Sequence, residues 1–258
     1  FELGLGTQIK QNIEDRYGMP WSEPVARMRE YIGALCALFG TFRTGEPLRF
    51  DGDQYRLPRM QPYFNPGPDD VAPPSIWLGA VNARMCELAG EAADGVISHS
   101  TNADPGYLRE VVRPALDRGA GGAGRASRPG PIVAAPPIAT GSTDADVARE
   151  RERHRRLLAF LYSTPSYATA LERLGRSELR GELADLIRAR RWDDLPAVLD
   201  DALLDEVVIC GRFDELPRLL HDGFAGLAAG IVFPPLDDAG DDESIAACVQ
   251  RLAATESG

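Results

Sequence analysis

The chain has 258 residues, 44% of them hydrophobic, enough for one large domain with a substantial core and a fit in size for an α/β barrel. Its 39 acidic residues outnumber 28 basic ones, and the net charge of -11 repels polyanions, which argues against nucleic acid as a partner. Four cysteines without a CxxC spacing and only three histidines argue against a metal centre, and no apolar run is long enough for a bilayer, so a cytoplasmic protein is expected.

Phe1 to Gly6 reads as a buried strand running into the turn Gly4-Leu5-Gly6-Thr7-Gln8. The chain opens on this strand without a Met, and a strand in place at residue 1 needs a neighbour on each side, so further sequence upstream is expected. Pro24 to Phe39 has a helical pattern. Residues 41–74 form an insert, in which Leu48 to Leu57 reads as a hairpin around Asp51-Gly52 and Pro58 to Pro74 is Pro-rich.

Strand Ser75 to Ala80 then precedes helix Asn82 to Ala93, and strand Gly95 to His99 precedes helix Tyr107 to Arg118. Gly119 to Gly130 reads as a flexible surface loop and Ile132 to Thr140 as a fourth strand. Residues 144–205 are helical and too long for a simple crossover, so a helical subdomain over one end of the barrel is expected. Strand Gly230 to Phe233 and helix Asp242 to Ala254 close the chain. Strands alternating with helices argue for parallel βα units.

Five motifs, in this order, resemble the luciferase-like α/β-barrel oxidoreductases, the superfamily of bacterial luciferase and of enzymes that use the deazaflavin coenzyme F-420. They are the Gly4-Leu5-Gly6-Thr7-Gln8 turn with Asn12 and Tyr17-Gly18, the helix Arg27-Met28-Arg29-Glu30-Tyr31-Ile32, the hairpin Phe50-Asp51-Gly52-Asp53-Gln54-Tyr55, the strand Pro73-Pro74-Ser75-Ile76-Trp77-Leu78-Gly79-Ala80, and the link Ala89-Gly90-Glu91-Ala92-Ala93-Asp94-Gly95. Gln8 to Arg29, Ser163 to Tyr167 and Trp192 to Leu204 are most similar to a deazaflavin-dependent branch, with an FMN-using monooxygenase as the alternative.

The resemblance implies a TIM (β/α)8-type barrel in which residues 1–258 form a single partial domain supplying strands four to eight, the first three being absent. Such a chain is either the C-terminal portion of a longer protein or one completed by a separate chain; a truncated, non-catalytic fragment is the third possibility. The implied reaction is hydride transfer between a deazaflavin and a small organic substrate, with FMN as the alternative cofactor and a homodimer as a possible assembly. The family's usual proton donor lies near the end of the second barrel strand, so no catalytic residue is assigned within this chain beyond the weak candidate His99.

For cofactor binding, Gly6 admits close backbone approach, Thr7 and Gln8 offer polar groups at a strand end, and Asn12 matches a family position on the cofactor tail. Gly79, Ala80, Val81 and Asn82 close a strand with small residues ahead of a helix N-terminus, a phosphate-binding pattern in which Asn82 is equally an N-cap. His99 and Ser100 end the next strand, with His99 the best titratable candidate for substrate or the cofactor ring edge. His154 reads as part of a solvated helix face, His221 as a C-terminal cap after a Leu-rich helix, and Lys10 as a solvated lysine or one attracting an acidic cofactor tail. Ile9 stands where sugar-phosphate dehydrogenases of the superfamily carry a catalytic Glu, which disfavours that substrate class. Trp21, Tyr63, Phe64 and Tyr162 are candidates to line an apolar pocket, and Trp77 is expected to pack between strand and helix. The cysteines are expected to be reduced and buried or semi-buried.

Overall fold

The computed structural model describes residues 1–68, 70–127, 129–167, 169–234 and 239–255, and it divides into two compact units. The first comprises Phe1–Ile97 with Val111–Pro131, the second Ser98–Glu110 with Ile132–Gly258.

The first unit carries β1 (Glu2–Leu5), α1 (Pro24–Thr44), the short strands β2 (Phe50–Asp51) and β3 (Arg56–Leu57), β4 (Ser75–Ala80), α2 (Ala83–Ala92), β5 (Gly95–Ser98) and α3 (Arg113–Gly122). β1 pairs in parallel with β4, from Glu2 opposite Ser75 to Leu5 opposite Leu78, and β4 lies next to β5. Alternation along β4 buries Ile76, Leu78 and Ala80 on one face. β1 is less buried than its sequence implies: Leu3 and Leu5 are half-covered and Glu2 and Gly4 exposed.

Helices α2 and α3 meet at two glycines. A Cβ on Gly90 would strike the carbonyl of Leu116, and one on Gly119 would strike the carbonyl of Glu87, so only hydrogen side chains let these backbones approach. This overturns the flexible loop expected from Gly119: α3 runs on to Gly122, and Gly119 and Ala120 are buried. Residues 123–127 turn at the surface, Gly130 is buried against the backbone of Asp94, and Arg128 lies outside the described residues. Gly95 gives similar room to the ring of Trp77, which is half-buried.

α1 is joined to α2 by the bidentate pair of Arg29 with Glu91, at 2.7 and 2.8 Å. The hydrogen bond from Arg29 holds the Glu91 carboxyl below the usual carboxylate range. The β2–β3 hairpin, with Phe50 opposite Leu57, is tied to α1 by Glu30, whose Oε2 accepts from the amides of Gln54 (2.8 Å) and Tyr55 (3.3 Å).

The second unit carries β6 (Ile132–Ala134), β7 (Ile138–Ala139), α4 (Asp144–Tyr162), α5 (Thr169–Arg173), α6 (Leu179–Arg188), α7 (Asp201–Val207), β8 (Ile209–Cys210), α8 (Leu216–Phe224), β9 (Gly230–Ile231) and α9 (Asp242–Thr255). β6 pairs in parallel with β9, and β7 with β8. The single strand expected over Ile132 to Thr140 is split by Pro136-Pro137, which have no N–H to donate to a ladder. β8 is two residues long and follows α7 directly, too little for a periodic signal.

Within residues 144–205, α4 starts with a capping box in which Thr143 and Asp146 bond each other reciprocally. Leu158, Leu171, Leu183, Leu199 and Leu203 form one fully buried helical core with Tyr162. Tyr162 is therefore a core residue and not the pocket wall expected from sequence. His154 also departs from the solvated face assigned to it: it is half-buried, and its Nε2 lies 2.9 Å from the carbonyl of Ile138. Cys86 and Cys248 are buried and Cys210 half-buried, whereas Cys36 is exposed, against expectation; burial pushes the Cys86 thiol up to about 12. Among the described residues no helix is long and apolar enough to cross a membrane.

The glycine crossing sets a test. Gly119→Val should lower unfolding free energy in urea by ~2 kcal/mol or more. Gly121→Ala, two residues on, where an added Cβ meets nothing within 4 Å, should be neutral or stabilising by up to ~1 kcal/mol.

Candidate functional site

Parallel pairing brings two sequence-predicted segments together. β1 and β4 run the same way, so Gly6-Thr7 and Gly79-Ala80 emerge side by side, and a Cβ on Gly79 would sit 3.4 Å from the carbonyl of Leu5. At Gly6 a Cβ would meet only open space. The Thr7 hydroxyl donates to the carbonyl of Gln8 at 3.2 Å, and the Gln8 side-chain oxygen accepts from Asn12 Nδ2 at 2.9 Å. Gln8 has φ 60, a left-handed conformation that side chains other than glycine adopt at a cost. A single π-helical turn, Asn12–Arg16, follows.

Beyond β4, Val81 leads into Asn82, whose Oδ1 accepts from the amide of Met85 at 3.0 Å. Asn82 is thus the N-cap of α2. It leaves the amides of Ala83 and Arg84 at the head of the helix, where the positive end of the peptide dipoles lies.

Gly6 and Thr7 also border a cavity of about 230 Å3, walled by Trp21, Met28, Tyr31 and Tyr55 and holding Ser22 and Arg27. Of these, sequence reading proposed only Trp21 as pocket lining. The missed signal is helical spacing: Arg27 and Tyr31, four apart on α1, share a face, and the hairpin supplies Tyr55 opposite them. The other aromatic candidates of the insert do not line this cavity, since Tyr63 is 92% and Phe64 66% exposed, ring edge against ring face. Lys10 sits in an exposed pair with Glu14 at 3.7 Å.

His99 and Ser100 belong to the second unit, where Ser100 opens a 3-10 turn ending at Asn102. The His99 ring is half-buried and stacked on Tyr167, centroids 4.4 Å apart and planes 6° from parallel. Its Nδ1 accepts from the amide of Thr101 at 3.3 Å and lies 2.9 Å from the Thr101 hydroxyl, which donates to Asn102 Oδ1 at 2.7 Å. With Nδ1 an acceptor, the neutral ring carries its proton on Nε2. Burial lowers the His99 pKa, so the ring is neutral at pH 7, and burial raises that of Tyr167. Asn102 is buried, and its Nδ2 meets no partner among the described residues. His221 is exposed in the last turn of α8, whose C-cap is Ala225, so it is not the cap expected from sequence.

Strand ends of this kind, glycine-lined and parallel, are the usual seat of function in α/β barrels. Residues 1–228 match the luciferase-like monooxygenase family, and the chain belongs to it. An uncharacterised protein of Mycobacterium tuberculosis is 35% identical over 248 residues, 96% of this chain and 72% of its own. A 5,10-methylenetetrahydromethanopterin reductase of Archaeoglobus fulgidus is 28% identical over 225 residues, 85% of this chain and 63% of that enzyme. Among solved structures, the coenzyme F-420-dependent tetrahydromethanopterin reductase of Methanopyrus kandleri superposes with a TM-score of 0.73 over 98% of this chain and 74% of its own, at 18% identity. The fold is accordingly the luciferase-like TIM-barrel class.

The state of His99 can be checked by ring-proton NMR, where it should titrate below the ordinary value of about 6.5. Its folded pKa lies below its unfolded one, so its contribution to stability is complete above about pH 6.5 and is lost as pH falls through the lowered value. Tyr167→Ala, which uncovers the ring, should move the titration back towards about 6.5.

Proposed function

We propose that this chain is the coenzyme-binding part of an oxidoreductase that transfers a hydride between a deazaflavin of the F-420 type and a small organic substrate. The observation that carries the reading is the pairing of β1 with β4, which sets Gly6-Thr7 beside Gly79-Ala80 just ahead of the α2 N-terminus. The name of the Methanopyrus kandleri enzyme, dependent on coenzyme F-420, supports the same assignment.

The residues fit such a group. Gly6 opens onto free space and Gly79 lies against backbone, so a flat ligand or its polyol could pass close to the chain without meeting a side chain. The backbone of Gly79, Ala80 and Val81, with the first-turn amides of α2 and the Asn82 side chain, would hold a phosphate, and Thr7, Gln8 and Asn12 the polar tail. When bound, a deazaflavin supplies the hydride chemistry from its own ring. The chain's part is to fix and orient it, through a segment already held in one conformation by the Gln8–Asn12 hydrogen bond. In the second unit His99 is the titratable candidate, offering a hydrogen-bond donor at Nε2 and no charge at pH 7. A cytoplasmic location and a homodimeric assembly accord with this reading.

FMN is the second reading, favoured by the monooxygenase in the matched family's description. Titration with oxidised F-420 and with FMN, followed by absorbance, separates the two. Saturable binding of F-420 and weaker binding of FMN are expected, and the Thr7→Ala, Asn12→Ala double variant should bind F-420 about tenfold more weakly with an unchanged melting temperature. Tighter binding of FMN, with oxygen uptake on reduction, would favour the monooxygenase. A folded chain that binds neither would leave a non-catalytic role.

A further inference from the structure

The cavity beside Gly6 contains a cation with no anion. Arg27 is half-buried on α1, and of its five N–H donors the one at Nε goes to the neutral Tyr55 hydroxyl at 3.1 Å. Among the described residues no carboxylate lies within ion-pair reach of it, although acidic residues outnumber basic ones in the chain as a whole. Glu23, one turn back on the same face, makes no ion pair with it, and Glu30, three residues on, is engaged by the hairpin amides of Gln54 and Tyr55. Ser22, on the same cavity wall, has its Oγ sealed from solvent and without a hydrogen-bond partner.

Both features are costly in isolation. A partly desolvated guanidinium without a counter-charge and a buried hydroxyl without a partner each raise the energy of the folded state. One ligand feature relieves both: a planar anion that accepts two parallel hydrogen bonds from the guanidinium and a third from the hydroxyl. The walls are apolar and aromatic, with Met19, Trp21, Met28 and Tyr31 around the polar pair. At about 230 Å3 the cavity is smaller than the ~300–1,000 Å3 sites that hold drug-sized ligands.

We propose that this cavity is a binding site for the carboxylate of a small, largely apolar organic acid, with Arg27 and Ser22 holding the carboxylate and the Trp21–Tyr31 wall covering its apolar part. The site lies within the first unit and shares its Gly6–Thr7 border with the proposed coenzyme segment, while its two polar groups take no part in the cradle formed by Gly79 to Asn82.

Benzoate is the probe and benzamide its neutral isostere. Trp21, one of three tryptophans, lies in the wall, so binding should be read as saturable quenching of intrinsic fluorescence, with isothermal calorimetry as a second readout. The expected result is benzoate binding at least about tenfold tighter than benzamide, lost about tenfold or more in Arg27→Gln and partly kept in Arg27→Lys. Ser22→Ala should weaken benzoate more than benzamide, and it keeps the test decisive if Arg27→Gln does not fold. Equal binding of the two probes, or benzoate affinity unchanged by Ser22→Ala or Arg27→Gln, would overturn the proposal. Loss of benzoate binding on adding F-420 in competition would assign the site to that coenzyme's acidic tail and overturn a free organic acid. A chain that binds benzoate but no F-420 would uphold this site while the coenzyme reading failed.

Discussion

The parallel ladder between β1 and β4 is the constraint on which the candidate site rests. Parallel strands finish at the same edge, so their following loops must share a neighbourhood whatever the loops themselves prefer. Here that places two glycine-containing turns together, one leading into a π-helical turn and the other into a capped helix. The left-handed Gln8 and its bond to Asn12 show that the first of these turns is held in a conformation it would not choose alone.

Around this edge the first unit is built by close backbone approach more than by bulk. Gly90 and Gly119 let α2 and α3 touch through their main chains, and Gly95 yields its side-chain volume to Trp77. Such packing tolerates little change in volume and so fixes the position of α2 against α3. The hairpin is held to α1 differently, by the Glu30 carboxylate accepting two amides. That arrangement removes Glu30 from competition for Arg27 and delivers Tyr55 to the cavity wall.

The second unit relies on a conventional helical core. Leu158, Leu183, Leu199 and their neighbours are sealed from solvent with Tyr162 among them, while the charged face of α4 is laced by Arg151 and Arg155 to Asp201. These exposed pairs add little stability singly and act as a network. His99 gains its character from packing: the flat contact with Tyr167 and the hook from Thr101 fix one tautomer and keep the ring neutral.

The family, the βα order and the strand-end candidates were all legible in the sequence, because alternating burial, glycine turns and helix caps are local features written over a few consecutive residues. The positions of β4, α2, β5 and the Phe50–Leu57 hairpin followed from such patterns. What the tertiary structure alone decided depends on partners distant in sequence. Tyr162 reads like any pocket aromatic until the helical core closes over it, and His154 like any solvated face until the carbonyl of Ile138 meets it. Gly119 begins what looks like a loop, yet a neighbouring helix makes its missing side chain a packing requirement. Arg27 is one arginine among many in the sequence, and only the fold reveals that it borders a cavity with no ion-pair partner among the described residues.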